Sequence, residues 1–133
     1  MSDKKEMVVQ WNKNFQTSVS CRGLSITVDQ PKEDGGDNAG LSPTELLVAS
    51  LGTCIIYYSV VFLKRRKVPC TGLKVVLDWE YAETPRRIGK IKASISLNEK
   101  LDEKQKKGLL KIAQSCTVHN TLTHAPEINV SIK

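Results

Sequence analysis

The chain has 133 residues, the size of one ordinary domain, and its 40% hydrophobic and 26% charged residues are the balance of a folded soluble protein. That balance excludes a disordered chain, and aromatics at 5% leave the core to Leu, Ile and Val. A net charge of +6 is a mild excess, and its clusters at residues 64–67 and 104–107 carry no interleaved aromatics, so no nucleic-acid partner is expected.

Residues 7–11, 15–20 and 24–29 are short runs rich in Val, Phe, Ile and Thr, parted by turns at 12–14 and 22–23. They predict a three-stranded β-meander. The stretch 30–41, QPKEDGGDNAGL, has Pro, three Gly and no periodicity, which predicts a mobile connection able to border a site. A helix then starts with a well-specified signal: Ser42 as N-cap, Pro43 at the first helical position and Glu45 completing a capping box. It ends at 64–67, where cations suit the helix C-terminus, and Pro69 forbids continuation.

Apolar and polar residues alternate from Leu73 to Tyr81 and again from Ile91 to Leu97, predicting two strands with 84–87 in the loop between them. A second helix is expected over 102–115, with Leu109, Leu110, Ile112 and Ala113 on one side and Gly108 as a weak point. Cys116 follows at its end, then a His-containing stretch, and residues 127–132 read as a closing strand. The order predicts a single α+β domain over 1–133 with largely antiparallel pairing.

The first helix is uncharged from Leu46 to Leu63, at the threshold for a membrane span. Its Ser50, Gly52, Thr53, Cys54 and Ser59 and its water-type cap argue instead for a core helix, so no membrane association is expected. A helix apolar all round must be buried all round. One small domain has too few elements for that, which predicts a homodimer with this helix near the two-fold axis.

Cys21, Cys54, Cys70 and Cys116 are widely spaced and form no CxxC. The N-terminal MSDKKEMVVQW has no apolar signal-peptide core, so a cytoplasmic location with reduced thiols is expected. Cys116, His119 and His124 loosely suggest a metal set but lack a fourth ligand, so neither metal nor cofactor is expected. His119 either modulates a nearby thiol or packs at the helix end. A Cys–His hydrolase built on Cys54 and His119 would need an oxyanion hole that nothing marks.

"SPTELLVASLGTC" followed at a distance by "CTVHNTL" resembles the OsmC/Ohr family, the osmotically induced protein C and organic hydroperoxide resistance proteins. The resemblance extends to the closing "PEINVSIK" and implies an intertwined α+β homodimer, its antiparallel sheets packed around two long central helices. It implies a thiol-dependent peroxidase acting on organic hydroperoxides and reset by a dithiol reductant. By position, Cys54 resembles the peroxidatic cysteine, Cys116 the resolving one, and Glu45 the glutamate that pairs with a catalytic arginine. Arg22 is the first choice for that arginine, ahead of Arg86 and Arg87. The family's usual Cys-Pro-Val is Cys-Thr-Val here, which predicts a looser turn. Leu51, Ile55, Tyr57, Tyr58 and Val61 are the expected apolar lining.

A thiolate that attacks an O–O bond becomes a sulfenic acid, which a second thiol condenses to a disulfide. Cys54 lies about three turns into its helix, beyond the reach of that helix's own N-terminus, so something positive must offset its burial. Glu45 and Cys54 are nine positions apart, roughly 13 Å along an ideal helix and on opposite sides. Glu45 of one chain is therefore expected to support Cys54 of the other. The alternative reading is a non-catalytic protein that holds a hydrophobic small molecule in its dimer pocket, with Cys54 as a plain core residue and Glu45 as a plain cap.

Overall fold

A computed structural model describes residues 5–133. The chain forms two compact units, one up to Leu47 and one over Val48–Lys133.

The first unit is the expected antiparallel meander of β1 (Val8–Lys13), β2 (Gln16–Cys21) and β3 (Leu24–Val28). Val9 pairs with Val19, which pairs with Ile26. The β2–β3 turn is made by Arg22 and Gly23, both at positive φ (43° and 83°), the backbone that a two-residue hairpin with the right twist demands. The connection after β3 departs from the mobile loop expected over 30–41. The buried Asp29 carboxylate accepts the N–H groups of Gln30, Asp37 and Ala39 at 2.7, 3.1 and 3.0 Å and holds the segment in a defined turn. Three inward-pointing donors explain why a segment without periodicity still takes one shape.

Helix α1 (Pro43–Arg65) starts as expected. Ser42 N–H donates to Glu45 Oε1 at 2.8 Å, and Glu45 N–H donates back to Ser42 Oγ at 3.3 Å. At the far end Lys67 turns to φ 57°, and Val68 N–H closes onto Leu63 O at 3.0 Å.

In the second unit α1 packs on the hairpin of β4 (Lys74–Ala82) and β5 (Arg87–Ser96), where Val75 faces Ile95 and Trp79 faces Ile91. β5 starts earlier than the alternation suggested and takes in Arg87. Contact with the hairpin is close at Gly52, where a Cβ would stand 2.7 Å from Leu77 Cδ1. Helix α2 (Glu103–Ala113) carries a capping box of Asp102 and Gln105. Gly108, a weak point by propensity, lets the Phe62 ring approach: a Cβ there would meet it at 2.6 Å.

Two apolar clusters share Ile95. One joins Leu51, Ile55, Ala113 and Cys116, the other Phe62, Leu63, Leu101 and Leu109. Leu63 is wholly enclosed, a site where truncation to alanine costs about 2–5 kcal/mol.

Two further expectations change. The stretch after Cys116 is a short helix, α3 (Thr117–Thr123), rather than an unassigned connection. Residues 127–132 form no strand within the chain: Ile128, Val130 and Ile132 are 77%, 89% and 99% exposed. The alternation is there, but a strand exists only where a neighbour completes its ladder. One chain also buries only a single stripe of α1, leaving Tyr57 64% exposed.

Candidate functional site

Cys54 stands midway along α1, partly buried, and Cys116 is the N-cap residue of α3, with no exposed surface. The fold brings the two side by side in one apolar cluster with Leu51, Ile55 and Ala113, and Tyr58, Val75, Leu77 and Val118 pack around it.

Both sulfurs meet the opening turn of α3. Cys116 Sγ accepts the His119 N–H at 3.3 Å, and Cys54 Sγ accepts the Val118 N–H at 3.5 Å. Such N–H groups have no partner inside their own helix. A hydrogen bond to sulfur strengthens when the sulfur carries charge. The donor that meets Cys54 thus comes from α3 and not from its own helix.

Burial pushes the Cys116 thiol above its ordinary 9.0. A hydrogen bond with Cys54 and the charge Cys54 can carry push the same way, against the His119 and Val118 N–H groups. Cys116 is thereby kept as a thiol.

Most of the other expected residues have partners of their own. Glu45 is engaged in its capping box at the start of α1. Arg22 occupies the exposed β2–β3 turn of the first unit. Arg86 pairs with Glu83 and covers the Tyr81 ring, and Arg87 donates to Glu83 O and Pro85 O, so both serve the β4–β5 loop. Of the expected lining, Leu51, Ile55 and Tyr58 belong to the cysteine cluster, and Tyr57 meets Tyr58 edge to face at 5.3 Å. His124 caps the C-terminus of α3, its Nδ1 3.2 Å from Asn120 O. No group of three or more metal-binding side chains occurs among the described residues. Cys21 and Cys70 are free thiols outside the cluster.

Three participants escaped sequence reading: the Val118 N–H, the His119 N–H, and the hydrogen bond between Tyr58 Oη and Thr117 Oγ1 at 2.8 Å. The first two are main-chain groups with no residue signature. The third joins residues 59 apart.

The model of the OsmC-like protein family matches residues 35–131. The chain belongs to the OsmC-like family. Solved structures agree in fold with this OsmC-like chain. A protein of Psychrobacter arcticus 273-4, provisionally described as an osmotic stress induced and detoxification response protein, is 24% identical with a TM-score of 0.82, covering 91% of this chain and 90% of its own. The OsmC-like protein of Mycoplasma pneumoniae is 18% identical with a TM-score of 0.78, covering 94% and 91%. The organic hydroperoxide resistance protein OsmC of Legionella pneumophila, described as a predicted redox protein, is 15% identical with a TM-score of 0.67, covering 90% and 88%. No curated protein gives a significant match in sequence.

Proposed function

We propose that this OsmC-like protein reduces organic hydroperoxides through a two-cysteine cycle. The observation that carries the reading is the pairing of Cys54 and Cys116, 62 positions apart (116 − 54), within one apolar cluster at the start of α3. The Legionella pneumophila protein of the same fold is an organic hydroperoxide resistance protein, which supports the same chemistry here.

In the first step the Cys54 thiolate attacks the terminal oxygen of the hydroperoxide. The S–O bond forms as the O–O bond breaks, and the alcohol leaves after taking up one proton. Cys116 then attacks the sulfenic sulfur. The S–S bond forms, the S–O bond breaks, and the hydroxyl departs as water with the Cys116 proton. A dithiol reductant restores both thiols and is itself oxidised to a disulfide.

The roles follow from burial. Cys54 retains accessible surface and meets the substrate; Cys116 is enclosed and protonated, suited to a second step that needs no access from solvent. Leu51, Ile55 and Tyr58 offer an alkyl or lipid-like group an apolar seat. A cytoplasmic setting, where dithiol reductants operate, suits this cycle.

The working form in this proposal is a homodimer. A second copy would cover the face of α1 that holds Tyr57, and would offer a ladder to the alternating Ile128, Val130 and Ile132. Glu45 of the partner subunit is then the residue that supports Cys54.

Thiol counting tests the activity. Reduced protein treated with cumene hydroperoxide should lose two thiols per chain, one disulfide in all, and Cys54→Ser should abolish the loss. If the wild type loses no more than slow background oxidation removes, the peroxidase reading fails and a binder of hydrophobic small molecules takes its place.

A further inference from the structure

Thr117 is the first helical residue of α3, beside the enclosed thiol of Cys116. A residue at that position has no intrahelical use for its N–H, and proline fits there well, so the backbone does not require threonine. What threonine adds is a hydroxyl, and its Oγ1 lies 2.8 Å from Tyr58 Oη. Tyr58 stands four residues after Cys54, one turn further along the same face of α1. Its ring packs against the cluster that holds Cys116.

Two ties therefore bind the start of α3 to α1. One is the 3.5 Å contact of the Val118 N–H with Cys54 Sγ. It is weak, because sulfur is a poor acceptor, and it involves the atom that reacts. The other is the Tyr58–Thr117 hydrogen bond, which uses neither sulfur, so oxidation of Cys54 alters none of its atoms. Disulfide closure is demanding in geometry, with Cβ atoms about 3.5–4.5 Å apart.

We propose that the Tyr58–Thr117 hydrogen bond is a clasp that keeps Cys116 aligned on Cys54 for disulfide closure. The inference rests on the two-cysteine reading above. Both are positioning residues: neither gives nor takes an atom when the S–S bond forms.

Stopped-flow closure with diamide tests the clasp independently of peroxide chemistry. This diazene takes two electrons and two protons from the dithiol and becomes a hydrazine. Tyr58→Phe and Thr117→Val should each slow closure about three- to tenfold, the range of one hydrogen bond. The double variant should be no slower than the slower single one, since either change opens the same bond. Thr117→Ser should close at the wild-type rate, and Thr117→Pro should be as slow as Thr117→Val despite its stiff backbone. Sulfenic acid formation with cumene hydroperoxide, trapped by dimedone, should stay within about twofold in Thr117→Val and Thr117→Pro. Closure within about twofold of wild type in both single variants overturns the clasp, and so does wild-type closure in Thr117→Pro or an additive double variant. Equal slowing of sulfenic acid formation also overturns it, because the whole site is then distorted. If cumene hydroperoxide oxidises no variant, the peroxidase reading fails, and the diamide rates still decide the clasp.

Discussion

Asp29 and Cys116 are both shut off from solvent, at 1% and 0% exposure, yet their surroundings push them in opposite directions. Burial raises both. At Asp29 the N–H groups of Ala39, Gln30 and Asp37, with help from the Lys13 charge, outweigh burial and hold the carboxyl below its ordinary 3.8. At Cys116 the His119 and Val118 N–H groups do not outweigh it, and Cys54 adds to the upward push. A carboxylate has two oxygens with room for several donors, whereas sulfur accepts weakly. The lesson is that burial does not set an acid's charge; the donors that burial traps with it do. Asp29 becomes a fixed anion that shapes a loop, and Cys116 a thiol held in reserve.

The largest effect should come from removing the reserve. In Cys116→Ser the proposed cycle stalls at the Cys54 sulfenic acid, so excess cumene hydroperoxide should drive Cys54 to the sulfinic acid with no intramolecular disulfide. Mass spectrometry reads both; a disulfide to Cys21 or Cys70 in its place would break the pairing.

Asp29→Asn should come next. It keeps the shape but leaves one acceptor oxygen for three N–H groups, so the melting temperature should fall at pH 7. The sign with pH follows from a folded value below the unfolded one. The carboxylate's contribution is fully present above pH 3.8 and lost as pH falls through the lower folded value. The gap between wild type and Asp29→Asn in melting scans should therefore close in acid; a gap that persists unchanged would mean the charge is irrelevant.

The smallest effect sharpens the other side. Cys54→Ser removes two upward pushes on Cys116 and leaves burial, the largest. The pH midpoint of Cys116 alkylation by iodoacetamide should drop modestly. An unchanged midpoint would mean that Cys54 adds nothing to the upward push. Here the linkage runs the other way: the stabilising contribution is intact below the unfolded value of 9.0 and fades as pH rises through the folded one.

The parts that were legible share a short range. The Ser42–Glu45 box, the Arg22–Gly23 turn and the alternation from Leu73 to Tyr81 are each settled by contacts within a few residues or by a period of two. Helix α3 was not legible, because Thr117, Thr121 and Thr123 are poor helix formers and Cys116 is an unusual cap. Its Thr121 and Thr123 hydroxyls turn back onto Thr117 O and His119 O at 2.9 and 3.0 Å, a polar satisfaction that shows no apolar period. The pattern of residues 127–132 is that of a strand, but pairing is a property of two segments and cannot be read from one.

The order of residues alone determined the capped apolar helix, the two antiparallel hairpin regions and the kind of chemistry two cysteines can do, since these depend on local sterics, periodicity and thiol reactivity. It could not say what would stand beside Cys54. That was decided by folding α3 against the middle of α1, which placed the Val118 N–H and a second thiol beside a sulfur too far from its own helix end. Main-chain donors are the same in every residue; only their direction in space makes them part of a site, and direction is set by packing.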